Sequence, residues 1–238
     1  MNIHFILQGK GGVGKSLVAS LLAQYLTDSG SALFCADTDP VNDTFSRYKS
    51  INAERINVLN ENQEVDSRVF DSLIEKLITH EGCAVVDNGA STFIPMAAYL
   101  ADNGVVELLQ DMGKTVYIHT VLTGGQAMDD TVNGLIALLN SQPAQVVVWE
   151  NEFFGEVERD GKKFVDLKLY TANKARIKGI INIKRRNPST FGKDIELMVS
   201  NKLTFADALA SEQFSLMPRQ RLATVRKEIY QQLEAAGL

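Results

Sequence analysis

Three kinds of residue are scarce in this chain of 238 amino acids, and each shortage excludes something. The two cysteines, Cys35 and Cys83, lie in apolar runs and read as reduced core residues, with no metal-ligand spacing to a histidine. The three histidines, His4, His80 and His119, are scattered and make no zinc constellation. Positive charge is in deficit: 24 Lys and Arg against 29 Asp and Glu leave a net charge of −5 and a pI near 5.3. That balance argues against broad, sequence-independent coating of DNA, while leaving a local basic patch open. No basic-then-apolar leader opens the chain, where Asn2 already begins a strand, and no apolar run is long enough to span a bilayer, so the cytoplasm is the expected compartment. The remaining composition is ordinary for a globular protein, and the length suits a single α/β domain over residues 1–238.

What is present begins with Gln8-Gly9-Lys10-Gly11-Gly12-Val13-Gly14-Lys15-Ser16, which satisfies G-x-x-x-x-G-K-[ST]. Asn2 to Leu7 before it is apolar enough for a buried parallel strand, and Leu17 to Thr27 after it carries Leu and Ala at helical spacing. That context predicts a phosphate-binding loop. Glycines let the backbone curl so that N–H groups from Gly11, Gly12, Val13, Gly14, Lys15, Ser16 and Leu17 face an anion, and the helix N-terminus adds positive potential. Lys15 would meet the β and γ phosphates of ATP or ADP, and Ser16 would hold Mg²⁺.

Strands and helices then alternate, which predicts a three-layer, doubly wound, mostly parallel sheet with helices on both faces. Ser31 to Ala36 is a second apolar run, delivering Asp37-Thr38-Asp39-Pro40 to the carboxyl edge of the sheet, where such folds bind ligands. Two carboxylates there can act on metal-bound water and on an attacking water. A helical segment over Thr44 to Lys49, a short strand at Ile56 to Leu59 and a helix over Ser67 to Thr79 follow. Cys83-Ala84-Val85-Val86-Asp87 reads as a strand whose terminal Asp87 accepts from Ser16 or from metal-bound water, completing the Mg²⁺ shell with Ser16 and Asp37.

Further along, Pro95 to Leu109 predicts one or two helices broken near Asp102-Asn103-Gly104, Thr115 to Leu122 a long strand, Gln126 to Leu139 a helix, and Val146 to Trp149 a buried strand. Asp160-Gly161 between alternating flanks signals a hairpin, an insertion at about 152–166 available for a dimer contact or a partner. Tyr170 to Ile177 reads as helical and Gly179 to Ile183 as a last strand. Lys184-Arg185-Arg186 beyond it is a solvated loop or a phosphate contact. A terminal helix at about 217–236 places Leu222, Val225, Ile229 and Leu233 on one stripe; Glu228 and Glu234 dilute its positive charge and no Trp or Phe anchors its apolar face, so docking on the sheet is expected rather than membrane contact.

Lys10 ahead of Lys15 in Lys10-Gly11-Gly12-Val13-Gly14-Lys15 resembles the deviant Walker A motif of the ParA/MinD ATPases. In that family the early lysine reaches across a dimer to the phosphates of the partner subunit, so the resemblance implies a homodimer in the ATP state; taken alone, Lys10 would be a surface lysine. Asp37-Thr38-Asp39-Pro40 is similar to the family's switch I, which implies that Asp39 activates the hydrolytic water and Asp37 lies near the metal's water shell. Val41 stands where glutamine is usual and Asn88 departs from the usual switch II. An asparagine after the corresponding strand hydrogen-bonds adenine in the family, which makes Asn151 the base-recognition candidate, with a plain turn asparagine as the alternative.

A narrower resemblance runs from the first strand to near the last helix. Segments including Asp37-Thr38-Asp39-Pro40-Val41-Asn42, Val86-Asp87-Asn88-Gly89-Ala90-Ser91, Thr120-Val121-Leu122-Thr123-Gly124-Gly125-Gln126 and Tyr170-Thr171-Ala172-Asn173-Lys174 look like the TraL/StbB-type ATPases encoded with conjugative plasmid transfer and stability genes. It implies a role in conjugation or plasmid positioning with a plasmid-encoded DNA-binding or transfer-machinery partner, and leaves direct DNA contact open. Catalysis by Lys10, Lys15 and Asp39 on Mg·ATP is the expectation. The alternatives are a metabolic phosphotransferase or ligase on the same scaffold, and a nucleotide-binding module with negligible turnover.

Overall fold

The computed structural model describes residues 1–238. Its centre is a seven-stranded sheet formed by β1 (Asn2–Ile6), β2 (Leu33–Asp37), β3 (Glu54–Arg55), β4 (Cys83–Asp87), β5 (Thr115–Thr123), β6 (Gln145–Asn151) and, after a small hairpin, β9 (Ile177–Ile183), in the order β3-β2-β4-β1-β5-β6-β9. The hairpin strands are β7 (Glu158–Arg159) and β8 (Lys162–Lys163). Every pairing in the large sheet is parallel. The helices are α1 (Lys15–Asp28), α2 (Val69–Thr79), α3 (Phe93–Asp102), α4 (Val105–Asp111), α5 (Met128–Ser141), α6 (Lys168–Asn173), α7 (Lys193–Ser200), α8 (Phe205–Ala210) and α9 (Leu216–Ala235).

Strand alternation divides the core into two layers. Ile3, Phe5, Ala84, Val86, Ile118, Val146 and Val148 face α2 to α5, whereas Ile6, Val85, Val121, Val147 and Trp149 face α1 and α7 to α9. Side chains on a strand point alternately up and down, so strands with nearly continuous apolar runs must be covered on both faces. The terminal helix obeys the same demand: Leu222, Val225, Ile229 and Leu233 are buried in the second layer, against the sheet. No helix is long and apolar enough to cross a membrane.

The chain leaves β1 by α1 toward β2 and leaves its neighbour β5 by α5 toward β6, in opposite directions along the sheet, which opens a crevice at the carboxyl ends of the two strands. The hairpin turns through Asp160 and Gly161, both at positive φ (52° and 71°), as a two-residue loop with the right twist requires. Its root is fixed at the same carboxyl edge. A Cβ on Gly124 would stand 2.3 Å from the Glu156 carbonyl, so Thr123-Gly124-Gly125 is the bare backbone floor on which residues 154–156 lie.

Three expected elements differ. Residues 44–49 form turns instead of a helix, with Ser46 N–H donating to Asp37 Oδ2 at 2.9 Å and Phe45 and Tyr48 buried in the core. The short strand is Glu54–Arg55, upstream of residues 56–59. There the carboxamide oxygens of Asn57 and Asn60 capture the N–H groups of Leu59, Asn62 and Glu64, which bends the chain into a loop. The helix at 168–173 passes into a tight turn at 174–176, where Arg176 donates to the carbonyls of Gln142 and Ala144 and so starts β9 early.

A polar chain runs through the second layer. Trp149 Nε1–H donates to His119 Nδ1 at 2.9 Å, which leaves the proton of His119 on Nε2, 2.9 Å from His4 Nδ1. His4 Nε2 is then a buried donor with no partner. Burial holds the His4 pKa down at about 3, and burial reinforced by His4 lowers that of His119. Both rings stay neutral when folded and bind protons when unfolded, so stability falls as pH drops below about 6.5 and continues to fall toward 3. Urea unfolding at several pH values between 7 and 4 checks this: His4→Gln should flatten the dependence, removing up to about 1.4 kcal/mol per pH unit relative to the wild type.

Candidate functional site

The loop after β1 is shaped from both sides. Gln8 is fully buried, and its Nε2 donates to the carbonyls of Val121 and Thr131 at 3.0 Å each and lies 3.2 Å from Thr120 Oγ1, while its Oε1 meets Lys10 N–H at 3.4 Å. Gly14 has φ +103°, and a Cβ there would approach Asn151 Nδ2 to 2.8 Å, so side-chain space and backbone conformation both demand glycine. Val13 is buried beneath, and its carbonyl accepts from Asn151 Nδ2 at 2.9 Å. The first bond within the following helix is Val18 N–H to Gly14 O, which leaves the amides of Lys15, Ser16 and Leu17 free of helical partners. They open into a cleft of about 580 Å³, whose walls also include Gly11, Gly12 and Asp39.

Charge in the cleft is buried and unpaired. Lys15, 7% exposed, has its ammonium 3.1 Å from the Lys10 carbonyl and forms no ion pair. Burial lowers its pKa, against the attraction of Asp87 and Asp39. Asp87 is 1% exposed, and its Oδ1 has no hydrogen-bond partner. Burial raises its pKa to about 7, opposed by the hydroxyl of Ser16 and by Lys15, and helped by the charges of Asp37 and Asp39. An ammonium without an anion, facing free amides, fits a phosphate chain; a buried carboxylate oxygen without a donor, beside a serine hydroxyl, fits a hard cation such as Mg²⁺.

The other expected residues converge on the same edge with distinct tasks. Asp37 is buried and divides its carboxylate between Asp39 N–H (Oδ1, 3.1 Å) and Ser46 N–H (Oδ2, 2.9 Å), which folds residues 39–46 over the cleft; burial raises its pKa. Asp39 Oδ1 accepts from Val41 and Asn42 N–H at 2.9 and 3.0 Å, leaving Oδ2 open. Asn151 uses Nδ2 on Val13 and Oδ1 on Phe153 N–H, so its carboxamide braces the phosphate loop from the side opposite Gln8. Lys10 extends from the loop to Asp130 in the first turn of α5, 2.8 Å away, with both side chains about half exposed. Groups of three or more His, Cys, Asp or Glu placed to share a metal ion are absent.

Residues 4–212 match the CobQ/CobB/MinD/ParA nucleotide binding domain. The chain belongs to that family. Within it, the chain is 48% and 46% identical to two Escherichia coli proteins described as Protein TraL, over 99% of this chain and 98% of each relative. Its fold is similar to the septum site-determining protein MinD of Pyrococcus horikoshii complexed with Mg-ADP (TM-score 0.53, 16% identity, 96% of each chain). It is likewise similar to a chain of the MinC:MinD complex of Aquifex aeolicus (TM-score 0.53, 15% identity, 95% of this chain and 94% of that one). At those identities the structural likeness establishes the doubly wound fold.

Seen as a CobQ/CobB/MinD/ParA domain, the chain has site features that motif reading passed over. Gln8 is the clearest: a polar residue closing an apolar strand is the signal that could have marked it. The node of Thr38, Asn88 and Thr92 carries no such signal, since each residue alone reads as a turn former. Asp87 generates a measurable expectation for this family member. Because its folded pKa is raised to about 7, the contribution of Asp87 to the stability of the unliganded protein is highest below about pH 4, where it is protonated in both states, and falls progressively as pH rises to 7. Asp87→Asn should therefore stabilise the nucleotide-free protein by up to about 4 kcal/mol at pH 8 and by the smaller amount of about 1.5 kcal/mol at pH 5. Denaturant unfolding at the two pH values tests the sign.

Proposed function

We propose that this protein is a Mg²⁺-dependent ATPase switch that dimerises on ATP and acts, with a plasmid-encoded partner, in conjugative transfer or plasmid positioning. The observation that carries the nucleotide reading is the buried, unpaired Lys15 ammonium beside an open helix N-terminus and a donor-less Asp87 oxygen. The full-length likeness to TraL supports the biological setting, and the likeness to a chain of a MinC:MinD complex supports action through a partner protein.

The chemistry asked of the residues is positional. Amides from Gly11 to Leu17 cradle the phosphates, and Lys15 exchanges the Lys10 carbonyl for the β and γ oxygens. Ser16 and Asp87 would hold Mg²⁺, with Asp37 accepting from the metal's water through its remaining lone pairs. Bound there, the ion would supply neutralisation of phosphate charge. Asp39 Oδ2 orients the attacking water in line with the γ phosphate. Lys10 leaves Asp130 to reach the phosphates bound by a second copy. Asn151, whose carboxamide donates to the Val13 carbonyl and accepts from Phe153 N–H in the nucleotide-free protein, is the residue proposed to recognise the adenine edge.

Calorimetry and gel filtration with Mg·ATP and Mg·ADP, together with phosphate release, decide the matter. Lys15→Ala should weaken nucleotide binding by about 100-fold or more, equivalent to about 2.7 kcal/mol. Lys10→Ala should keep most binding while losing the ATP-dependent dimer and turnover. Wild-type protein that gives neither heat nor association with Mg·ATP would sink the proposal. ADP formation only when a small-molecule acceptor is supplied would replace it with a phosphotransferase.

A further inference from the structure

Asn88 follows Asp87 directly, is 1% exposed, and turns its carboxamide's hydrogen bonds away from the phosphate loop. Its Oδ1 accepts from two hydroxyls arriving from different elements: Thr38 Oγ1 at 3.0 Å, in the segment between Asp37 and Asp39, and Thr92 Oγ1 at 2.9 Å, on the residue that precedes α3. Its Nδ2 donates to Gly89 O at 3.0 Å. Thr38 can also donate to Asp87 O at 3.1 Å and Thr92 to Gly89 O at 3.1 Å, so each hydroxyl proton is shared between the carboxamide and a backbone carbonyl. Three buried polar side chains are thereby linked through one carboxamide oxygen, and a buried node of that kind favours one geometry because moving either hydroxyl away gives up a hydrogen bond that water does not replace.

Both ends of the node reach the cleft. On one side, Thr38 leads into Asp39, whose carboxyl carbon would be 2.7 Å from a Cβ on Gly89, so Asp39 rests directly on the backbone that Asn88 holds. On the other side, Thr92 leads into Phe93, whose ring would be 2.9 Å from a Cβ on Gly9 at the mouth of the phosphate loop. The carboxamide is the shared partner of the two segments that border the site from β2 and β4.

We infer that Asn88 is a positioning residue for hydrolysis: it joins residues 37–39 to the start of α3 and so keeps Asp39 Oδ2 aimed into the cleft. This rests on the ATPase reading above, and it assigns Asn88 no contact with nucleotide or metal. Displacing a water-orienting group by about 1 Å costs on the order of 100-fold in rate without a matching loss of binding.

The test uses Asn88→Ala, Thr92→Val and, as the conservative control, Thr92→Ser, which keeps the hydroxyl. In Asn88→Ala and Thr92→Val, kcat for phosphate release should fall about 10-fold or more while the dissociation constant for Mg·ADP stays within about threefold; Thr92→Ser should restore kcat. Amide hydrogen exchange on nucleotide-free protein supplies a readout independent of turnover. Both variants should speed exchange over residues 38–46 and 89–92 together, since Thr92→Val alters a residue far from 38–46 in sequence. Folded variants with kcat within about twofold of wild type, or faster exchange confined to 89–92 in Thr92→Val, would overturn the inference. Wild-type protein that releases no phosphate would overturn the ATPase reading and the catalytic consequence with it, while the exchange result would still decide whether Asn88 joins the two segments.

Discussion

The Gln8 carboxamide is the constraint on which the site depends. Where the connections from two neighbouring parallel strands run in opposite directions along the sheet, the residues after them face a crevice without sheet partners, and a flexible glycine loop there would sample many conformations. Gln8 removes that freedom by spending both hydrogens on β5 and α5 and its oxygen on the Lys10 amide. Gly134 shows how close the fit is: a Cβ at that position in α5 would lie 2.2 Å from Gln8 Oε1. With Asn151 bracing the far end of the loop through the Val13 carbonyl, the anion cradle is held at both ends before any ligand arrives. Preorganisation of this kind lowers the ordering cost of binding, and it lets dipoles act on developing charge without rearranging.

A second consequence is that stability is given up at the cleft. Lys15 and Asp87 are desolvated without being paired, Asp37 is buried with a raised pKa, and three carboxylates face one another across the carboxyl edge. The two core layers and the buried stripe of α9 supply the stabilisation that tolerates this. Unpaired buried charge is costly in a fold but useful where a phosphate and a cation are to be received, because each arriving charge relieves a strain already present. The buried histidine chain is different: it is neutral, internally paired except at His4 Nε2, and lies within the sheet layer formed by β1, β5 and β6.

Much of the architecture was legible because it rests on short-range rules. Cys83-Ala84-Val85-Val86-Asp87 is a strand at those residues, the break at Asp102-Asn103-Gly104 separates α3 from α4, and Asp160-Gly161 turns a hairpin. The failures share one feature: side chains that bond the backbone, as carboxylate and carboxamide acceptors at 44–49 and 56–59 and as the Arg176 donor at 174–176. Asp37 ties the Ser46 amide into the turns at 44–49, and Asn57 and Asn60 capture backbone amides where a strand was expected at 56–59. Site residues with a motif were found by spacing, whereas Gln8 and the Thr38–Asn88–Thr92 node act through partners more than 50 residues apart or through buried contacts that no local pattern encodes. Asn151 was legible as a position but not in its geometry, since the brace to Val13 spans most of the chain.

The pairing of Lys10 with Asp130 bears on how the proposed dimer would be controlled. Both groups are about half exposed, and an ion pair in that setting contributes only about 0–1 kcal/mol, so it cannot by itself restrain a lysine that could instead meet a triphosphate. The contact therefore orders Lys10 in the single subunit more than it locks it. Arg159 of the hairpin meets the adjacent Asp129 at 3.3 Å, with equally exposed partners, so the two aspartates opening α5 hold the phosphate loop and the hairpin by ties of similar weakness. Strong control must then come from the buried groups, where a change of ligand charge is felt at low dielectric and through fully satisfied hydrogen bonds. In the proposed switch, the decision between resting and closed states would therefore lie with Lys15, Asp87 and the carboxylate segment above them, with the exposed pairs following.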